Sequence, residues 1–140
     1  MSGDIMKGRC FCGRIRLTTS AAPVAVRTCW CRDCQYLGAG SGTVNAVFAT
    51  ESVAIDGDIS EYVSTADSGA TMTRGFCAHC GTPVSSRSDT KPKLVVLRVG
   101  LFDDPSALVP ALTIWTESAP DWACLDEKIP GTPRQPPPLG

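Results

Sequence analysis

Seven of the eight cysteines in this 140-residue chain fall into three tight groups, and no other feature restricts its folding as strongly. Cys10 and Cys12 form the first group, Cys29, Cys31 and Cys34 the second, and Cys77 and Cys80 the third. Cysteines one or two residues apart bridge each other poorly, because a disulfide tolerates only a narrow range of geometry. The same spacing suits a metal, since a tight turn aims both sulfurs at one point.

Cys10-Phe11-Cys12-Gly13 and Cys77-Ala78-His79-Cys80-Gly81 are each a hook of two sulfurs followed by glycine. Glycine permits the sharp turn, often at positive φ, that faces backbone N–H groups toward the sulfurs. Two such hooks predict a closed four-thiolate site, structural in role and coupled to folding, that pins the first strand to a later hairpin. A set of unrelated buried thiols is the plainer reading, and the pairing of the hooks weighs against it.

Cys29-Trp30-Cys31-Arg32-Asp33-Cys34 offers three thiolates and leaves a tetrahedral ion one ligand short. An open position separates catalytic from structural zinc. It accepts water or an incoming thiol, and a coordinated thiol is deprotonated. Two other readings stand beside this one. Cys124 could supply a fourth ligand and close the site, or the three cysteines could form a redox cluster without metal. Cys124 stands alone after Trp122 in a segment with no hook, and reads as a buried or free thiol.

Composition narrows the rest. Hydrophobic residues make up 43% of the chain and charged residues 19%, which supports a packed core and argues against wholesale disorder. Formal net charge is -1 and the basic residues form no run, so neither nucleic acid nor an anionic membrane is an expected partner. Met1 to Cys10 carries Asp4, Lys7 and Arg9 and cannot serve as the apolar part of a secretory signal. No run approaches the roughly 20 apolar residues of a membrane helix. The expected address is the cytoplasm, where thiols stay reduced.

Along the chain, Ile15 and Leu17 alternate with Arg14, Arg16 and Thr18, which predicts a half-buried strand over Phe11 to Thr18. Further strands are expected at Val24–Thr28, Thr43–Thr50, Ser52–Ile55, Ile59–Thr65, Thr71–Phe76, Lys93–Val99 and Ala111–Thr116. Helical turns are expected at Arg32–Leu37 and around Asp104-Pro105-Ser106. Many short strands separated by turn residues predict a mainly β fold in one domain over residues 1–134, with residues 135–140 as a Pro-rich tail. Pro130 to Gly140 holds five prolines and reads as an extended, poorly ordered strap.

The order Cys-x-Cys-Gly, Cys-x-Cys-x-x-Cys, Phe-Cys-x-x-Cys-Gly resembles the glutathione-dependent formaldehyde-activating enzyme family, which includes centromere protein V. The resemblance spans roughly Lys7 to Pro133, including Pro120-Asp121-Trp122 and Ile129-Pro130. It implies a β-tent fold of short antiparallel strands with two zinc ions per chain. The structural zinc maps onto Cys10, Cys12, Cys77 and Cys80, and the catalytic zinc onto Cys29, Cys31 and Cys34. The implied activity is a carbon–sulfur lyase reaction run in reverse, joining glutathione to formaldehyde as S-(hydroxymethyl)glutathione. Trp30 stands where many members carry His; it is not a ligand position, but a bulky indole there would reshape the pocket.

Groups for acid–base work are few. His79 is the sole histidine, and its place inside a hook reads as structural. Asp33 could orient water or a proton, with a solvated turn residue as the simpler reading. Arg32 could hold a substrate carboxylate or offset the charge of three thiolates around a divalent ion, and Arg27 and Arg74 are further candidates. Tyr36, Leu37 and Trp115 read as core or pocket wall. The alternative function is a non-catalytic zinc-stabilised β module that binds a protein partner. An apolar strand edge would allow a homodimer.

Overall fold

Apolar residues at alternate positions in short runs give ten strands in the computed structural model of the protein, which describes residues 5–139. Strands β1 (Met6–Arg9), β2 (Arg16–Thr19) and β5 (Val53–Asp56) make a three-stranded antiparallel sheet in the order β1-β2-β5. The second sheet has seven strands: β10 (Leu112–Ile114), β3 (Ala25–Cys29), β4 (Thr43–Ala49), β9 (Leu94–Arg98), β8 (Pro83–Ser88), β7 (Thr71–Cys77) and β6 (Ile59–Thr65), neighbours in that order. Its pairs are antiparallel except β10, which runs parallel to β3 and sets Ile114 beside Cys29. A short helix, α1 (Arg32–Leu37), and four 3-10 turns complete the described elements. The expected mainly β fold is the fold observed, with that one parallel pair as the exception.

The core lies where the two sheets meet. Ile15 and Leu17 from the small sheet's side pack in one cluster with Ala46 and Phe48 of β4, Val84 of β8, and Val95 and Leu97 of β9. The Phe48 ring stacks on Phe102 with centroids 5.8 Å apart. Fully burying an aliphatic or aromatic side chain contributes about 1.5–3 kcal/mol, so this cluster holds the sheets together. Cys10 and Cys77 are buried members of the same cluster.

Several expected segments shift. The first predicted strand shortens to Arg16–Thr19 because residues 10–15 close a hook, with the Cys10 amide donating to the Ile15 carbonyl at 3.0 Å. Strand β10 stops at Ile114 because Trp115 takes left-handed backbone, φ 59° and ψ 40°. Strands β1 and β8 had no counterpart among the expected segments. The 3-10 turn Pro105–Ala107 falls where Asp104-Pro105-Ser106 predicted one.

The strap needs correction at its start. Residues 130–134 are bound to the sheet rather than loose: Thr113 donates to the Pro130 carbonyl and Thr132 to the Thr113 carbonyl, both at 2.9 Å. Thr116 also donates to the Thr132 carbonyl at 3.1 Å, and Arg134 pairs with Glu117 at 2.6 Å. Proline lacks an N–H but keeps its carbonyl, so a Pro-rich segment can still accept from an edge strand. The expected limits at Met1 and Gly140, and the opening residues Met1 to Asp4, lie outside the described residues. No helix among the described residues is long and apolar enough to cross a membrane.

Candidate metal centres

Strand β1 runs into Cys10 and β7 ends on Cys77, so each hook begins where a strand stops. The two hooks share a bonding pattern. Gly13 donates to the Cys10 carbonyl at 3.1 Å, and Gly81 to the Cys77 carbonyl at 2.8 Å. Cys77 donates to the Thr82 carbonyl at 3.0 Å, as Cys10 does to Ile15. Gly13 and Gly81 close the turns at φ +82° and +79°, in the left-handed region that side chains disfavour.

The result brings Cys10, Cys12, Cys77 and Cys80 together, with all four sulfurs within 4.8 Å of one another. Cys10 Sγ lies 3.6 Å from Cys12 Sγ, and Cys12 Sγ lies 3.7 Å from Cys77 Sγ. A tetrahedron with zinc–sulfur bonds of about 2.3 Å has sulfur–sulfur edges of about 3.8 Å, so the residues fit such an ion. Backbone amides face the sulfurs: Ile15 on Cys10 at 3.3 Å, and His79 and Cys80 on Cys77 at 3.4 Å each. Thr82 ties the hooks to each other, since its hydroxyl oxygen accepts from the Phe11 amide and lies 3.1 Å from Cys80 Sγ. The Thr82 hydroxyl and then the Thr82 backbone lower the Cys80 thiol to about 5. His79 is exposed and its ring does not join the group.

The second group forms at the junction of β3 and α1. Cys29 ends β3, Cys31 caps the helix by accepting from the Cys34 amide at 3.4 Å, and Cys34 lies in the first helical turn. Their sulfurs also lie within 4.8 Å of one another, and among the described residues no fourth Cys, His, Asp or Glu joins them. Cys124 is exposed and outside both groups. Cys29 and Cys34 are buried, while Cys31 is half-buried.

Gln35 fixes this loop from inside. Its buried amide donates to the Trp30 carbonyl at 2.8 Å and to the Ser118 carbonyl at 2.9 Å. Among the three thiols, Cys34 ionises first. Hydrogen bonds from Cys29 and Cys31 hold it far below the ordinary thiol range, to about 2, with Thr43 and the Arg98 charge adding. Cys29 moves upward for the converse reason, facing Cys31 and Cys34 and then burial.

The other sequence candidates separate. Trp30 is buried and packs on Gly42, where a Cβ would meet the indole at 3.0 Å. It lines neither of the two cavities described below. Arg32 bonds Gln35 and lies over the Tyr36 ring at 5.1 Å, away from both cavities. Arg27 on β3 is likewise absent from the cavity walls. Asp33 is exposed and meets Arg74 at 3.4 Å. Trp115 packs against the three-cysteine group, Tyr36 is exposed, and Leu37 lines both cavities.

These cavities, of about 260 and 370 Å³, share Leu37, Pro83 and Arg98. The smaller one reaches Gly81, next to Cys80, and Leu37, on the helix of Cys34. Arg98 escaped the sequence reading. It is 9% exposed at the end of a central strand, held at 2.6 Å by both Asn45 and Ser86. An arginine closing the apolar run Leu94-Val95-Val96-Leu97 was the available signal, because charge in such a strand is rarely left without a task.

No curated protein matches the chain in sequence. A crystal structure of a Rhodobacter sphaeroides protein has a similar fold, with a TM-score of 0.60 at 18% identity, over 91% of this chain and 100% of that one. Residues 5–118 match the model of the family described as glutathione-dependent formaldehyde-activating enzyme. That match takes in all three cysteine groups and stops short of Pro120-Asp121-Trp122. By its sequence the chain belongs to the glutathione-dependent formaldehyde-activating enzyme family.

Proposed function

We propose that this protein is a zinc-dependent carbon–sulfur lyase that joins glutathione to formaldehyde as S-(hydroxymethyl)glutathione, with Cys29, Cys31 and Cys34 at its active centre. The observation that carries the proposal is a group of three sulfurs with no fourth protein ligand among the described residues. Zinc held there would supply a position for an incoming thiol and keep that thiol ionised near neutral pH.

In the reaction the thiol sulfur bonds to the carbonyl carbon, the C=O π pair moves to oxygen, and the proton lost by sulfur ends on that oxygen. Nothing else is gained or lost. The chain's own residues position and protect. Cys31 caps the helix that carries Cys34, and Gln35 holds the loop rigid against the segment after β10. Most of the acceleration would come from holding thiolate and aldehyde together, because formaldehyde is small and already electrophilic. Cys10, Cys12, Cys77 and Cys80 would hold the second zinc ion, as a closed site that joins β1 to the β7–β8 hairpin.

Exchange NMR on glutathione and formaldehyde tests this directly, with the uncatalysed rate subtracted. Acceleration should scale with zinc-loaded protein and vanish in Cys31→Ala. Equal rates in the wild type and in Cys31→Ala would remove the reaction from this centre.

A further inference from the structure

We propose that Thr43, Asn45 and Arg98 are positioning residues for the three-cysteine centre, forming a one-way hydrogen-bond relay from a buried guanidinium to a hydroxyl donor on Cys34. The inference rests on the reading of Cys29, Cys31 and Cys34 as a zinc centre, and adds what steadies that centre from the sheet beneath it.

The relay lies on the face of the large sheet turned away from the core. Ala46 and Phe48 of β4 and Val95 and Leu97 of β9 belong to the core cluster. Side chains alternate along a strand, so Thr43, Asn45 and Arg98 share the opposite face. Asn45 stands directly across from Arg98, and Thr43 directly across from Cys29. The second face of an antiparallel sheet is commonly solvated. Here Asn45, Ser86 and Arg98 are all buried, and α1, which carries Cys34, packs against β4. Polar groups enclosed in this way are ordinarily committed to partners.

Donor chemistry sets the direction. A guanidinium cannot accept, so the 2.6 Å contact from Arg98 Nη1 fixes the side-chain oxygen of Asn45 toward it. The Asn45 amide nitrogen then faces the other way and donates to Thr43 Oγ1 at 3.0 Å. That hydroxyl keeps one proton to give, and the Thr43 side chain is hydrogen-bonded to Cys34. The donor end of the chain therefore falls on a sulfur. At the other end, Arg98 Nη2 donates to Ser86 at 2.6 Å and anchors the start. Charge points the same way. Arg98 belongs to neither ion pair found among the described residues, although a buried charge is ordinarily paired. Burial lowers the Arg98 guanidinium from its usual range, and Cys34 is the foremost group acting against that. Three thiolates around a divalent ion leave one negative charge over, and an incoming thiolate adds a second. A cation fixed behind the centre favours both.

The test uses the full-length protein loaded with cadmium-113, read by NMR and by chelator competition, in the wild type and three variants. Thr43→Val keeps the shape of the side chain and removes the hydroxyl. Asn45→Asp keeps an oxygen facing Arg98 but turns a second one toward Thr43, which reverses the hydroxyl and takes its proton from Cys34. Both variants should move the three-sulfur cadmium resonance in the same direction and leave the four-sulfur resonance fixed. Both should also weaken metal at the three-cysteine centre about tenfold or more. Thr43→Ser should restore the two readings. If Asn45→Asp fails to fold, the two Thr43 variants decide, since Thr43 is half-buried at the first position of β4 and valine suits a strand. A three-sulfur resonance unmoved in Thr43→Val, even with a lower Tm, would overturn the relay and leave the lyase reading intact. Movement that Thr43→Ser does not reverse would count against the relay as well. A wild type with only the four-sulfur resonance would overturn the relay and the zinc reading of the centre together. The expected shifts without any adduct formation would support the relay and sink the lyase reading alone.

Discussion

Replacing Gln35 with alanine should loosen the three-cysteine loop and destabilise the whole protein. The Gln35 side-chain amide is buried and donates twice, to the carbonyls of Trp30 and Ser118, at 2.8 and 2.9 Å. One bond spans the Cys31 cap and the other crosses to the 3-10 turn that follows β10. A buried carbonyl that loses its donor costs about 1–3 kcal/mol, so two of them should cost about 2–4 kcal/mol after some relaxation. For a chain of this length that lowers Tm by about 5–15 °C. The assay is thermal unfolding by far-UV circular dichroism, with protein and free zinc held constant because bound metal itself shifts Tm. Tyr36→Ala is the control: it removes an exposed side chain from the same helix, and should change stability by no more than about 0.5 kcal/mol. A Gln35→Ala protein within about 1 °C of the wild type would refute the view that these two bonds hold the loop.

Thr82→Val keeps the shape of the side chain but leaves the Phe11 amide without its acceptor and removes the hydroxyl beside Cys80. Chelator competition should show zinc held about 10–100-fold more weakly at the four-cysteine group, with the three-cysteine group unaffected. Cys124→Ser should leave metal stoichiometry at two and adduct formation unchanged, since Cys124 is exposed and outside both groups; loss of one metal in that variant would show that it closes the second site. Lowering the pH should release metal, because protons compete with it for the same sulfurs, and zinc content across an acid titration should fall as the thiolates are protonated.

The sulfur chemistry was legible because it is written in short spacings. Each hook and the Cys29–Cys34 loop needed only a local backbone turn to aim its own sulfurs at one point. The matching pattern of the two hooks signalled their long-range meeting, and the structure brings together the same seven cysteines. Strand β8 was opaque for a physical reason. Pro83-Val84-Ser85-Ser86-Arg87-Ser88 has the composition of a turn, yet Ser85 and Ser86 are buried at the centre of the sheet. Ser85 occupies the space that a Cβ on Gly75 would need, with its Oγ only 2.6 Å from that position, and Ser86 accepts from Arg98. Neither partner is near in sequence. The same holds for the Arg74–Arg98 cavity, whose walls come from α1, β6, β7, β8 and β9. Residues that meet only through tertiary pairing leave no spacing to read. The parallel alignment of β10 with β3 was hidden too, because it depends on the long path from Thr43 to Ala111 through the rest of the sheet.

The most direct measurement is cadmium-113 NMR of the protein with cadmium in place of zinc, recorded before and after addition of glutathione. Two resonances are expected: one in the four-sulfur range that stays fixed, and one upfield of it, from three sulfurs and a lighter ligand, that moves toward the four-sulfur range as the thiol binds. Two four-sulfur resonances that ignore glutathione would contradict the central claim, and would make both centres structural.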